Sequence, residues 1–471
     1  MALIGRKAEL KTLQSLLETD KSEFVAVLGR RRVGKTFLIR ETFKNNFTFF
    51  HTGMANATME TQLQSFNMSL TEHGKGHFVK AKTWLDAFQQ LRDLLSRSRK
   101  RGKKIVFIDE MPWLDTPKSG FLSALEHFWN SWAAWEKNIL LIVCGSASSW
   151  MINKLLNNRG GLHNRVTRQI HLKPFTLAEC QEFFEKEHIV MSQHEIAESY
   201  MIFGGIPFYI SQFKKELSMT QNVDNMLFSE DAVLKNEFQN LYASLFKKAD
   251  NHIKIVETLS KKAKGLTRDE IIKSANLSNG GGVNRVLEEL ELSGFIRTYK
   301  SYGKKVRDKL YQLVDFYTLF YFNYLNNNEL KDEHFWTNYI ENAQHRAWSG
   351  YAFEQVCLVH LSQIKQKLGI SGVLTKVYSW QSSEKENGAQ IDLIIERNDK
   401  VINLCEMKFS SGEFIIDKQY DEVLRNKRAA FQHETKTTKA VHLTMITTYG
   451  IKRNTYSGNV QSQVMLNDLF Q

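Results

Sequence analysis

The chain has 471 residues, is 42% hydrophobic and carries a formal net charge of +12, long enough for about three domains that each bury a core. That composition excludes a disordered chain, and no apolar run is long enough to span a bilayer. The opening MALIGRKAEL lacks the apolar centre of a secretory leader, so a cytoplasmic protein with anionic partners is the expectation. The cysteines Cys144, Cys180, Cys357 and Cys405 are scattered, without zinc or disulfide spacing, and read as core residues.

In chain order, Phe24–Leu28 (FVAVL) is a short apolar run that ends at a glycine, and Lys35–Phe43 then opens a helix. Lys104–Ile108 (KIVFI) and Ile139–Cys144 (ILLIVC) are further apolar strands. Short buried strands separated by helical stretches predict a parallel sheet covered on both faces. From Leu177 to about Leu245 the pattern is helical. It changes near Asn251: His252–Ser260, Thr267–Ala275 and Val283–Ser293 read as three short helices, and a basic strand pair runs to Leu313. Glu329–Trp348 reads as a helical connector, followed by a helix from Tyr351, strands at Val373–Trp380, Gln390–Glu396 and Val401–Met407, and a helix near Gln419–Gln432.

The segment Gly29-Arg30-Arg31-Arg32-Val33-Gly34-Lys35-Thr36 fits the phosphate-binding pattern GxxxxGK[ST], between the strand and helix that the pattern requires, with Phe37 next on the helix. Its glycines let backbone N–H groups turn toward phosphates, Lys35 would neutralise the terminal phosphates of ATP, and Thr36 would give its hydroxyl to Mg²⁺. The three arginines Arg30, Arg31 and Arg32 read first as solvated loop residues and second as aids to anion binding. Asp109 and Glu110 follow KIVFI, where an acid can hold Mg²⁺ through water and its neighbour can orient an attacking water. Ser146, after ILLIVC, is placed either to sense the γ-phosphate or to cap a helix, with Ser148 second.

Together IGRKAEL, LGRRRVGKT, FIDE, CGSASSWM, RVTRQIHLKPF and FGGIPFYI resemble the archaeal-type ATPase family, a branch of the AAA+-related and STAND-like P-loop ATPases, over roughly residues 1–245. The resemblance implies that Arg6 lies near the nucleotide and that the GxP at Gly205–Pro207 brings a helical lid toward the base. It makes Arg165 or Arg168 an arginine finger, supplied by a neighbouring subunit in a homo-oligomer, although either also fits a structural place in the strand RQIHLKPF.

The order helix, helix, helix, hairpin over 251–313 resembles a winged helix, with Thr267 and Glu270 forming a capping box. Arg297, Lys300, Lys304, Lys305, Arg307 and Lys309 stand against the single acid Asp308, a stripe suited to the DNA backbone. Against this, Glu288, Glu289 and Glu291 lie on the helix that would enter a groove, leaving Asn284 and Arg285 as base readers. The pattern fits DNA contact through the basic stripe, and it also fits a protein–protein or interdomain module.

Asp392 is embedded in one strand, Glu406 and Lys408 share a face of the next, and Glu354 sits in the apolar helix YAFEQVCLVHL. Three carboxylates from adjacent elements can hold Mg²⁺, and a lysine beside them can stabilise charge on a scissile phosphate. The set Glu354…Asp392…Glu406-x-Lys408 resembles the PD-(D/E)XK nuclease superfamily over about residues 345–435, with Ile391 where the nominal proline would stand. Lys427, on the following helix, reads first as a solvated helix charge and second as an aid to phosphate binding.

The fold class expected is α/β: a P-loop NTPase core (1–175), a helical lid (176–245), a winged-helix domain (246–330) and a C-terminal restriction-endonuclease-like domain (331–471). The function expected is an ATP- and Mg²⁺-dependent ATPase acting on DNA and cutting it with the C-terminal site. The alternative is a STAND-like switch in which that site is a binding platform.

Overall fold

The computed structural model describes residues 3–471 except 75–78, 147, 158–159, 247, 304–308, 327–331, 340–342 and 383–388. Lys304, Lys305, Arg307 and Asp308 of the basic stripe, and the side chain of Ser148, thus lie outside the described residues. The chain forms two compact units, Met1–Lys173 and Pro174–Gln471. Among the described residues no helix is long and apolar enough to cross a membrane, and all four cysteines are free and buried.

The first unit is built on five parallel strands: β1 Glu23–Leu28, β2 Phe49–Thr52, β3 Lys104–Asp109, β4 Ile139–Gly145 and β5 Arg168–His171, in the order β2-β3-β4-β1-β5. β1 and β4 are buried at every residue, which is why both read as unbroken apolar runs rather than alternating ones. The helix Trp84–Arg97 starts at a capping box between Thr83 and Asp86 and turns Trp84, Phe88, Leu91 and Leu95 into the core. Phe24, Phe66, Phe121 and Trp129 fill the same layer.

The second unit begins with helices that include Leu177–Lys186, Gln193–Phe203 and Met219–Leu227. Three more, Asp250–Ser260, Arg268–Ser274 and Gly281–Leu292, lead into the antiparallel pair β6 Ile296–Tyr299 and β7 Leu310–Leu313. The helix Ala343–Val359 precedes a five-stranded mixed sheet of β8 Thr375–Gln381, β9 Gln390–Arg397, β10 Val401–Lys408, β11 Ala440–Thr447 and β12 Ser462–Met465, in sequential order. β8, β9 and β10 pair antiparallel, whereas β10, β11 and β12 pair parallel.

The three C-terminal segments read from the sequence as separate domains share packing within this one unit. The Leu177 amide donates to Nε2 of buried His360 at 3.0 Å, and His360 Nδ1 lies 2.8 Å from the Val356 carbonyl. Asp224 accepts from the amides of Trp336 and Thr337 at 2.7 and 3.1 Å. The hairpin is tied to the sheet as well. The Tyr302 amide donates to the Ser379 carbonyl at 2.8 Å, and its ring packs 5.3 Å from Tyr378 and 5.2 Å from Phe431.

Burial holds two histidines neutral, lowering His51 and His360 each to about 4. Between about pH 6.5 and 4 the unfolded chain therefore binds more protons at these sites than the folded one, and stability falls as the pH drops through that window. His360→Gln, which keeps an acceptor for Leu177, is expected to lose less of its urea midpoint than the wild type between about pH 7 and 5. Parallel pH profiles would rule this out.

Candidate functional site

One cluster of chemically active side chains stands in each unit. In the first, β1 delivers the chain into a loop whose geometry depends on two glycines. Gly29 has φ +151°, and a Cβ there would sit 2.4 Å from the Leu172 carbonyl oxygen, so only hydrogen fits. Gly34, with φ +89°, takes the left-handed turn that starts the helix Lys35–Phe43. Arg30 is buried, which corrects its reading as a solvated loop residue, while Arg31 is exposed and Arg32 half-buried with φ 70°. Arg6 reaches the same loop and donates to the Val33 carbonyl at 3.4 Å. Phe37 is exposed on the helix.

Lys35 is 5% exposed. Its ammonium donates to the carbonyls of Gly29 and Arg30 at 2.8 and 3.0 Å and to the Ser146 hydroxyl at 3.2 Å. Burial lowers its pKa, opposed by the neighbouring Cys144, Glu110 and Asp109. β4 lies between the strand that feeds the loop and the strand that carries the acids, so its end places Ser146 between Lys35 and Glu110. Ser146 Oγ donates to Glu110 Oε1 at 2.6 Å and the Ser146 amide donates to Oε2 at 3.2 Å. Glu110 has φ +46°, a left-handed conformation uncommon for a side chain of this size. Gly53 makes room for it, since a Cβ on Gly53 would lie 2.5 Å from the Glu110 carbonyl.

Thr36 Oγ1 donates to Asp109 Oδ2 at 2.8 Å. Burial raises the Asp109 pKa, and the buried Cys144 thiol donates to Asp109 Oδ1 at 2.6 Å. Two hard oxygens side by side at the end of a buried strand suit Mg²⁺. Arg165 lies in the turn ahead of β5 with Nε 3.4 Å from the Gly161 carbonyl, and Arg168 opens β5 with its guanidinium 2.9 Å from the Thr167 carbonyl. Both side chains are exposed. Pro207 starts the short helix Pro207–Ile210 in the second unit, after Gly205 at φ +64°.

In the second unit the β9–β10 ladder pairs Leu393 with Cys405, which sets Asp392 beside Glu406 one step further along. The helix Ala343–Val359 packs on β10 and contributes Glu354. Burial pushes Glu354 up to about 8, reinforced by Asp392 and Glu406 and opposed by Lys408 and Lys427, so at neutral pH it is largely protonated. Glu406 Oε1 accepts from Lys427 at 2.5 Å and Oε2 from the Tyr420 hydroxyl at 3.3 Å. Lys427 is therefore an ion-pair partner inside the cluster, a correction to its reading as a solvated charge. The Lys408 ammonium lies 5.3 Å from the Tyr420 ring centre, and the Gln390 amide donates to Asp392.

Among the described residues no group of three His, Cys, Asp or Glu side chains is placed to hold a metal ion. At Glu406 one oxygen accepts from Lys427 and the other from Tyr420, so its charge is already partly offset. The acidic set as it stands does not fit Mg²⁺.

Four partners of the site residues have roles that the sequence reading did not assign to them. Tyr420 and Lys427 are seven apart on one helix, a spacing that puts them on one face, and this signal was available. Gln390 lies two residues from Asp392 and so shares its side of the strand. The Cys144 thiol had no sequence signal beyond its place at a strand end.

The basic stripe is also altered. Arg297 turns inward, its Nε 2.9 Å from Gln312 Oε1, and burial lowers its pKa. Arg285 pairs with Glu289 at 2.9 Å, and Asn284 accepts from Arg268 at 2.6 Å.

Residues 3–213 match the ATPase domain described as predominantly from Archaea, so the chain carries an ATPase domain of archaeal type. An uncharacterized protein of Methanocaldococcus jannaschii is 25% identical over 431 residues, covering 90% of this chain and 92% of its own. The structure of a Walker-type ATPase of Pyrococcus abyssi superposes with a TM-score of 0.51 at 17% identity, covering 68% of this chain and 96% of that one. At that identity the likeness establishes the P-loop ATPase fold.

The bonds at Ser146 give a direct expectation. Hydrogen bonds to charged groups contribute about 1.5–3 kcal/mol, so Ser146→Ala is expected to slow ATP hydrolysis by roughly ten- to a hundredfold with a smaller effect on ATP affinity, and Ser146→Thr to restore most of the rate. Steady-state hydrolysis measured beside equilibrium nucleotide binding separates the two quantities, and an unchanged rate in Ser146→Ala would sink the assignment.

Proposed function

We propose that this chain hydrolyses ATP in its first unit and uses that cycle to act on DNA held by its second. The observation that carries the first half is the convergence of Lys35, Thr36, Asp109, Glu110 and Ser146 at the ends of three neighbouring parallel strands. Lys35 neutralises charge on the terminal phosphates. Thr36 and Asp109 hold Mg²⁺, which when bound supplies further charge neutralisation at the phosphates. Glu110 orients the attacking water, and Ser146 fixes the Glu110 carboxylate relative to Lys35. Arg165 or Arg168, both exposed, is offered to a neighbouring copy as an arginine finger, and Pro207 shapes the lid.

For the second half, the helix-and-hairpin order before the mixed sheet supports a winged helix. The grouping of Glu354, Asp392, Glu406 and Lys408 supports a site derived from the PD-(D/E)XK nuclease fold. Phosphodiester cleavage there would be helped by Lys427 releasing Glu406, because the ion pair offsets the negative charge that Glu406 would offer to a metal ion. The 2.5 Å Lys427–Glu406 pair also favours a second reading: a STAND-like switch in which this fold is a non-catalytic binding platform and ATP controls assembly.

Glu110→Gln is expected to keep ATP binding while lowering hydrolysis about a hundredfold or more; Lys35→Ala is expected to lose binding itself. Cleavage of single-stranded, duplex and branched DNA, assayed with Mg²⁺, should be lost in Asp392→Ala. If the wild type cuts none of them while Glu110→Gln assembles into a larger species with ATP, the platform reading replaces the nuclease.

A further inference from the structure

The parallel sheet of the first unit has two ends, and only one of them carries the phosphate loop and its acids. At the other end the segments that lead into β2, β3, β4 and β1 lie side by side, because those four strands are adjacent and parallel. The segment between the helix Trp84–Arg97 and β3 is densely basic. Arg97, Arg99, Lys100, Arg101, Lys103 and Lys104 are six cations with no acid between Asp93 and Asp109.

Two of these lysines act as struts rather than as surface charge. Lys100 donates to the carbonyl and the side-chain oxygen of Asn46, ahead of β2, at 2.7 and 3.0 Å. Lys103 is buried, with Glu23 and Asp20 near it as counter-charges. It donates to the carbonyl of Lys137, ahead of β4, at 3.1 Å and also to that of Lys21, ahead of β1. The four segments are thereby laced into one surface.

That surface exposes Lys21, Lys44, Arg99, Arg101 and Lys137, against the exposed acids Glu18 and Asp20 on the β1 side. Among the described residues Lys44, Arg99, Arg101 and Lys137 form no ion pair. Elsewhere exposed cations are matched: Lys186, Lys261, Arg285 and Arg425 each meet a carboxylate one helical turn away. Unmatched like charges repel one another and favour an anionic partner. Trp135, two residues before Lys137, is 82% exposed, whereas the other eight tryptophans are buried or half-buried.

We infer that this surface holds the phosphate backbone of a nucleic-acid duplex, at the end of the sheet opposite the phosphate loop. Neighbouring strands lie about 4.8 Å apart, so the segments ahead of β2 and β1, three strands apart, are separated by roughly 14 Å. That is comparable with the major groove, about 12 Å wide, so cations on these segments can meet the two backbones that flank one groove. They project from loops rather than from a helix that could enter the groove, and phosphate contact of this kind carries no base sequence. A membrane surface would ask for an apolar helix face beside the cations; the exposed large apolar side chains on these segments are Leu17 and Trp135 alone among the described residues. Lys104 and Asp109 stand at opposite ends of β3, roughly 17 Å apart, so a duplex bound here leaves the nucleotide-binding residues uncovered. The inference lies outside the reading of the second unit and stands without it.

The test is fluorescence anisotropy on the full chain with a labelled DNA duplex, in EDTA and without nucleotide, between about 50 and 200 mM salt. Each phosphate contact contributes about 0.9 to the slope of log affinity against log salt. The double variant Arg99→Gln, Arg101→Gln is therefore expected to flatten that slope by about two and to weaken binding at low salt at least about tenfold. It should melt with the wild type, because both side chains are exposed and outside any ion pair. A second readout is local: acrylamide quenching of tryptophan emission reports mainly on exposed Trp135. The duplex should shield the wild type from the quencher, and that shielding should vanish in the double variant and in Trp135→Phe. Lys300→Gln, on the hairpin of the second unit, should flatten the slope by about one if that unit also holds the duplex, and should leave the shielding in place.

An unchanged salt slope in the double variant, or equal quenching of the wild type with and without duplex, overturns the inference. Shielding of Trp135 by phosphatidylserine vesicles but not by duplex assigns the surface to a membrane and overturns it as well. A wild type that binds no duplex removes this surface and the DNA reading of the second unit together. A flattened slope in the double variant with none in Lys300→Gln upholds the inference and removes the hairpin as a phosphate contact.

Discussion

The first unit is organised around a cation that has been taken out of water. Lys35 is buried at the end of β1, and a buried ammonium is tolerated only where oxygens surround it. Two loop carbonyls, the Ser146 hydroxyl and the nearby Glu110 and Asp109 carboxylates provide that surround. The loop can turn its carbonyls and amides this way only because Gly29 and Gly34 occupy backbone conformations unfavourable to other residues. The parallel sheet brings the remaining groups to the same edge, since β1, β3 and β4 all end there. A phosphate placed in such a site meets a positive charge that is already desolvated and already oriented, which strengthens the interaction in the low dielectric of the site.

The second cluster is organised differently. Here the buried charges are mainly acidic, and the structure manages them in two ways. Glu354 is held largely neutral, whereas Glu406, the more buried of the two, stays paired with Lys427. Breaking a buried pair by removing one partner leaves an uncompensated charge, so the pair restricts what Glu406 can do until another cation or a conformational change replaces Lys427. Tyr420 adds to this restraint by bonding the other oxygen of Glu406 and lying beneath Lys408. The same residue types therefore support either a poised catalytic set or a stable scaffold, and the Lys427 contact is where the two diverge.

The hairpin links this cluster to the helices before it. Its inner face contributes Arg297 and Tyr299 to a cavity that also reaches Asp392 and Glu354. A positive stripe on an isolated wing would be read as a surface for duplex phosphates. Docked on β8 through Tyr302, the same hairpin keeps Lys300 exposed but turns Arg297 inward, where it bonds Gln312. Packing, rather than composition, decides which of these cations is available to a partner.

Much of the first unit was legible in the sequence because its signals are local. FVAVL, KIVFI and ILLIVC are continuous apolar runs since both faces of a parallel sheet are covered. The phosphate loop is contiguous and needs glycine at fixed places, and Asp109 and Glu110 follow their strand directly. Much of the element order of the second unit up to the helix Lys418–Thr435 was also legible, from capping residues and periodicity, whereas β11 and β12 were not read from the sequence. What the sequence by itself determined was thus every feature whose physics acts within a few residues: strand, turn, cap and loop. Only the tertiary structure decided that Ser146 holds Glu110 from the neighbouring strand, that Lys427 closes on Glu406, that Arg297 faces inward and that Gln355 is buried without a partner. Each of these depends on which side chains meet across long separations, and that is set by packing geometry rather than by spacing along the chain.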